Sequence, residues 1–218
     1  MSESLTIAIP LFDRLTALDA IGPYEVLQRL PGATVVFVGE QAGEYRTENG
    51  FLGLSADAGY DEVDRPDVIV VPGGAGTRPV IADADHPLLA WVDRVHPTTR
   101  FTTSVCTGSL VLAKAGLLDG KTAATHWSAY STLEKLGAVA TDQRVVEHLT
   151  DRLITAAGVS SGIDMALRLA ELLVDADAAR AMQLMVEYDP QPPFDAGSLE
   201  KAGDAVLARA ATYAADKD

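Results

Sequence analysis

The sequence predicts an α/β fold of the doubly wound kind, a mostly parallel sheet with helices on both faces, and three observations carry that reading. Short β-branched runs alternate with helix-length amphipathic segments along the chain. One run, Val68-Ile69-Val70-Val71, is apolar at every position, as a strand buried on both faces must be. Gly116 and Gly137 each follow a helical pattern where a left-handed C′ residue would end it.

The predicted strands are Leu5–Pro10, Thr34–Val38, Asp67–Val71, Arg100–Val105 and Arg152–Ala156. Gly22-Pro23 opens a helix through Leu30, proline being suited to a first turn, and His86-Pro87 opens another through His96. Thr107–Ala115, Ser128–Leu136, Ser161–Val174 and Asp175–Tyr188 complete the helices. From Pro190 the tail PQPPFDAGS is proline-rich and polar, which favours extended chain, and a short Ala-rich helix follows. Segment 190–218 is expected to pack on its own domain or on a dimer partner. No linker composition or repeat divides the chain, so residues 1–218 are expected to form a single domain.

Composition removes several functional classes. The chain has 17 Lys+Arg against 31 Asp+Glu, and its formal charge of −14 would repel a phosphate backbone; nucleic acid is not an expected partner. The N-terminal run lacks the basic flank and cleavage site of a signal peptide, and no apolar stretch approaches the roughly 20 residues of a membrane span. The one cysteine forms no internal disulfide, which places the chain in the reducing cytoplasm. His86, His96 and His148 show no ligand spacing with one another or with carboxylates, so a zinc or iron site is not expected.

Ligands of doubly wound sheets bind beyond the carboxyl ends of the strands, here Leu11–Pro23, Pro72–Thr77 and Cys106–Gly108. The run Thr102-Thr103-Ser104-Val105 stops at Cys106, and helical spacing resumes at Leu110, so Cys106 sits at a sharp strand-to-helix turn. A lone cysteine is commonly an inert small hydrophobe. At this turn, unpaired N–H groups and the helix dipole are instead expected to favour thiolate and lower the pKa below about 8.5. Gly73, Gly74 and Ala75 follow the central strand, and their N–H groups are candidates for an oxyanion hole. Asp19, an acid in apolar company, either caps a helix or faces Cys106 as a proton donor. His126, beside Trp127, is either a packed pocket wall or the partner of a Cys–His pair.

Taken together, the segments LDAIGPYEVL, PGGAG, TSVCTGSLVLAKAGLLDGK, ATHW and AGVSSGIDMAL resemble the DJ-1/PfpI superfamily from about Leu5 to Ser198. Asp19, where most of that superfamily has Glu, and the tail YDPQPPFDAGS resemble its isocyanide hydratase branch. The resemblance implies a flavodoxin-like fold, a homodimer, no cofactor, a nucleophile at Cys106, an acid at Asp19 and Thr107 beside the thiolate. It further implies hydration of a small-molecule isocyanide to an N-formamide through a covalent thioimidate. Alternatives within the superfamily are a glyoxalase-type hydratase and a non-catalytic sensor of electrophiles or oxidants, related to the ligand domains of AraC-type regulators. A DNA-binding regulator is not expected, because the chain stops at Asp218 without a helix-turn-helix pair or a basic surface.

Overall fold

A computed structural model describes residues 4–215. Its strands are β1 (Leu5–Pro10), β2 (Ala33–Gly39), β3 (Gly43–Arg46), β4 (Gly53–Ala56), β5 (Ala58–Gly59) and β6 (Val68–Val71). There follow β7 (Phe101–Val105), β8 (Thr122–Ala124), β9 (Val139–Thr141), β10 (Val145–His148) and β11 (Leu153–Ala156). The helices are α1 (Ala17–Leu27), α2 (Thr77–Ala82), α3 (Pro87–Val95), α4 (Gly108–Lys114), α5 (Tyr130–Lys135), α6 (Ser161–Leu173), α7 (Ala176–Met185) and α8 (Leu199–Ala215).

Seven strands form one sheet in the order β10-β11-β7-β6-β1-β2-β5. Among the described residues every pairing in it is parallel except β10 with β11, which runs antiparallel at the edge. This is the mostly parallel, flavodoxin-like sheet that the alternating pattern predicts. All four residues of β6 are buried, and each such side chain contributes on the order of 2 kcal/mol of apolar transfer energy. The polar side chains of β7 differ in their partners: Thr103 Oγ1 donates to the Ile69 carbonyl at 2.9 Å, Thr102 Oγ1 pairs with His96 and Thr99, and Ser104 Oγ is buried without a partner. The helices fall into two packed groups, α1 with α6 and α7, and α4 with α2, α3 and α5, which supply the covering layers.

Two small sheets, the antiparallel hairpin β3–β4 and the parallel pair β8–β9, stand outside the main sheet. Neither they nor β5, β10 and α2 follow from the sequence pattern, since they are short and partly polar. A larger difference concerns α1, which begins at Ala17 rather than at Pro23. Pro23 therefore lies inside the helix, where its missing N–H leaves the Asp19 carbonyl without its usual intrahelical donor. The early start puts Asp19 in the first turn.

The described residues divide into two compact units, the boundary falling between Val186 and Glu187. The second contains the proline-rich stretch, without regular structure over 190–197, and then α8, which is broken at Gly203 with φ 71°. The predicted helix over Asp175–Tyr188 ends at Met185.

What the topology does for function is local. Strands β11, β7, β6 and β1 are consecutive neighbours, and the segments leaving their carboxyl ends carry Val159, Cys106, Gly73 and Asp19. The chain reverses its winding direction between β1 and β6, the position at which such sheets open a crevice.

Candidate active site

Cys106 leaves β7 with φ 57°, a left-handed conformation that a non-glycine residue holds only at a cost of roughly 1–3 kcal/mol. The surroundings fix it there. Its N–H donates to the Ala156 and Ala157 carbonyls at 3.1 and 2.9 Å. Its carbonyl accepts from the hydroxyls of Ser109 and Thr125, each at 3.1 Å. Gly108 follows because a Cβ there would collide with the Val71 carbonyl oxygen.

Asp19 is fully buried. Its Oδ2 accepts the Gly73 N–H at 2.9 Å, and its side chain caps no helix. Oδ1 is buried without a partner of ordinary hydrogen-bond geometry, although the carboxyl interacts with the Cys106 thiol. Of the two roles open to Asp19 in the sequence, this placement is the one facing Cys106.

Burial raises the Asp19 carboxyl from 3.8 to about 7, outweighing the Gly73 and Cys106 hydrogen bonds that lower it, while the Glu48 charge adds to the rise. Burial also raises the thiol, with the Asp19 charge as the second cause, to about 12. The N–H groups of Val159 and Thr107 act on the sulfur in the opposite direction. This corrects the expectation of a thiolate pKa below the ordinary range. Cys106 is only 5% exposed, helix α4 has just 7 residues and begins at Gly108, and a carboxylate stands beside the thiol. The helix field is outweighed by desolvation and like charge. Above about pH 7 the pair holds one proton, with thiol beside carboxylate as the favoured arrangement, and below it the carboxyl is protonated as well.

The glycine turn also differs from expectation in what its N–H groups do. The Gly73 N–H is given to Asp19, the Gly74 N–H to Thr107 Oγ1 at 2.8 Å, and the Ala75 N–H to Glu48 Oε1 at 3.1 Å. Each is engaged, so the donors that reach the sulfur are those of Thr107 and Val159. Gly73 is required by close approach: a Cβ there would stand 2.5 Å from the Thr107 nitrogen and 3.0 Å from Asp19 Oδ2. The Gly73 carbonyl accepts the Thr16 N–H at 2.9 Å, tying the loop after β1 to this turn.

A cavity of about 410 Å³ opens over these groups, lined among others by Cys106, Thr107, Gly74, Ala75, His126 and Val159. Ile81, Leu110 and Ala129 give it apolar wall; Glu48 and Arg78 are its charged side chains. His126 thus lies in the cavity wall, but its Nδ1 is engaged with the Ser128 hydroxyl at 2.7 Å. No hydrogen bond joins His126 to Cys106 among the described residues. Burial lowers its pKa, which leaves it a neutral wall at pH 7. Gly158 makes room for it, since a Cβ would stand 2.6 Å from His126 Cδ2.

Two members of the site escaped the sequence reading. Val159 has φ 34°, a rare conformation for a β-branched residue, and it follows β11, whose place beside β7 only the strand order reveals. Glu48 sits on the loop of the β3–β4 hairpin, a region without a legible strand pattern. No three His, Cys, Asp or Glu side chains among the described residues are grouped to hold a metal ion. No described helix is long and apolar enough to cross a membrane.

Among known proteins, the isonitrile hydratase of Pseudomonas putida is 42% identical over 97% of this chain and 91% of its own. The HTH-type transcriptional regulator GbdR of Pseudomonas aeruginosa is 32% identical over 54% of this chain, a match spanning 31% of the regulator. A crystal structure of a ThiJ/PfpI family protein from Pseudomonas syringae superposes with a TM-score of 0.90 and 34% identity, covering 98% of this chain and 87% of that one. The pattern of the DJ-1/PfpI family matches residues 5–172, and the chain belongs to that family.

Proposed function

We propose that this protein is a cysteine-dependent hydratase that converts isocyanides to N-formamides. The observation that carries the reading is the buried Asp19 carboxyl in interaction with the Cys106 thiol beneath a cavity. The similarity to the isonitrile hydratase of Pseudomonas putida supports the choice of substrate.

The pair is suited to adding S–H across a carbon that accepts both nucleophile and proton. Asp19 takes the thiol proton, the sulfur bonds to the terminal carbon of R–N≡C, and Asp19 returns the proton to that carbon. The result is a thioimidate, Cys106–S–CH=N–R, with Asp19 again a carboxylate. Asp19 then draws a proton from water as the water oxygen attacks the same carbon, and passes that proton to nitrogen. Collapse breaks the C–S bond, the hydroxyl proton moves through Asp19 to the departing sulfur, and R–NH–CHO leaves with the thiol restored. The sum is R–N≡C plus H₂O to R–NH–CHO, without redox change.

Thr107 and Val159 hold developing charge on sulfur through their N–H groups, fixed before the reaction. Gly73 holds Asp19 in place, and Thr107 Oγ1 holds Gly74. Gly74, Ala75 and His126 are walls of the substrate cavity. No cofactor enters this scheme, and cytoplasmic location and homodimeric assembly belong to the same reading.

Turnover of para-nitrophenyl isocyanide, methylglyoxal and a peptide by wild type and Cys106→Ala tests it. Formamide from the isocyanide, lost in the variant, is expected. Methylglyoxal clearance without formamide would move the protein to a glyoxalase-type role, and no turnover at all would favour a sensor.

A further inference from the structure

We propose that Glu48 is a charge filter at the mouth of the cavity, admitting neutral or cationic reactants to Cys106 and disfavouring those that carry a carboxylate. For isocyanides this rests on the proposed function and narrows its substrate class; for access to the thiol it stands alone.

Glu48 belongs to no strand or helix of the main sheet. It is brought to the cavity by the β3–β4 hairpin, and its backbone N–H donates to the Leu15 carbonyl at 3.2 Å. Leu15 in turn bridges to Gly74. The side chain returns to the same turn, where Oε1 accepts the Ala75 N–H at 3.1 Å. The carboxylate is therefore held at a fixed place in the lining, although the residue itself is exposed.

Its field reaches inward. Glu48 adds to the rise of the Asp19 pKa and also acts to raise that of His126, so two groups on different segments feel it. Arg78 is a cation in the same lining and has an interaction partner of its own. Above about pH 7 the reaction centre adds the negative charge of the Asp19 carboxylate. An anionic reactant thus approaches two like charges, on a protein whose net charge is −14. Neither Ile81 nor Leu110 nor Ala129 offers it compensation, whereas all three suit an apolar substituent.

Glu48→Gln isolates the charge, because the amide oxygen can still accept the Ala75 N–H and an exposed position tolerates the exchange. The probes are iodoacetamide and iodoacetate, which form the same C–S bond with release of iodide and the thiol proton but differ by one negative charge. The ratio of their rates at Cys106 within one protein cancels any change in the thiol itself. In wild type at low salt the ratio should favour iodoacetamide more strongly than a small free thiol does. Glu48→Gln should reduce that preference by roughly five- to tenfold, as expected for a unit charge a few ångström away at a half-solvated site. Raising salt to about 1 M should shrink the wild-type preference. An equal ratio in wild type and Glu48→Gln would overturn the filter.

An isocyanoacetate ester and the isocyanoacetate anion make the second pair. The ester is expected to win in wild type, mainly through KM, with the gap narrowing in Glu48→Gln. If the ester gives no formamide, the hydratase reading falls while the alkylation ratio still decides the filter.

Discussion

Thr107 and Gly74 are joined in both directions: the Gly74 N–H donates to Thr107 Oγ1 at 2.8 Å, and the same hydroxyl donates to the Gly74 carbonyl at 3.3 Å. One side chain at the Cys106 turn thus holds the turn that follows β6. Thr107→Val keeps the shape but leaves a buried N–H unpaired, a loss of about 1–3 kcal/mol. It should lower the urea midpoint and cut kcat/KM, while Thr107→Ser should restore both. Wild-type behaviour of the valine variant would show the bond to be incidental.

Gly73 offers a purely steric test. Its φ is not in the left-handed region, so alanine there meets no backbone strain of its own, but its Cβ would stand 2.5 Å from the Thr107 nitrogen, 2.6 Å from Thr107 Oγ1 and 3.0 Å from Asp19 Oδ2. Gly73→Ala must push the turn away from Asp19 by several tenths of an ångström or more. Misplacement approaching 1 Å can cost about 10²-fold in rate, which single-turnover kinetics would read. Circular dichroism should remain that of a folded α/β protein.

The proton count of the site predicts the pH profile. The form that reacts holds one proton between Asp19 and Cys106, and protonating the carboxylate removes it. kcat/KM should therefore rise with pH through an apparent pKa near 7 and stay level over the remaining assay range. A rate that increases as pH falls from 7 to 5 would contradict the assignment.

Asp19→Asn separates stability from activity. The folded-state pKa is raised above its unfolded value of 3.8, so the unfolded chain releases this proton first as pH rises. Stability is then fully present below about pH 4 and is lost up to about pH 7, by on the order of 4 kcal/mol. Asn escapes that loss, because its amide oxygen can accept the Gly73 N–H without charge. The variant should gain stability over wild type at pH 8 and none at pH 4. It should also lower the thiol pKa and speed alkylation, since a negative neighbour is gone. Formamide production should nevertheless fall by about 10²- to 10⁴-fold for want of a proton carrier. Asp19→Glu keeps the carrier but displaces it, and should fall between the two.

How much of this the sequence discloses depends on the residue. β1, β6, β7 and β11 are legible because unbroken apolar or β-branched runs allow little else. The start of α1 is not: Gly22-Pro23 has the signature of a first turn, and only the packing of Leu15 and Thr16 on the glycine turn makes Ala17 the true start. Cys106 and Asp19 are recognisable as types in unusual company, but their pKa values depend on burial depth, which no motif states. The engagement of the Gly73, Gly74 and Ala75 N–H groups is a tertiary fact as well, since their acceptors lie 27 or more positions away. Val159 and Glu48 enter the site through strand order and a hairpin, neither of which has a sequence pattern strong enough to read.

The central claim is that Cys106 and Asp19 together add S–H across the isocyanide carbon. Its most direct test is quenched-flow mass spectrometry of the protein with an isocyanide, followed by peptide mapping. The account predicts a transient adduct equal to the full mass of the isocyanide, located on Cys106, that decays at the rate at which formamide appears. Formamide produced at the wild-type rate by Cys106→Ala would contradict it.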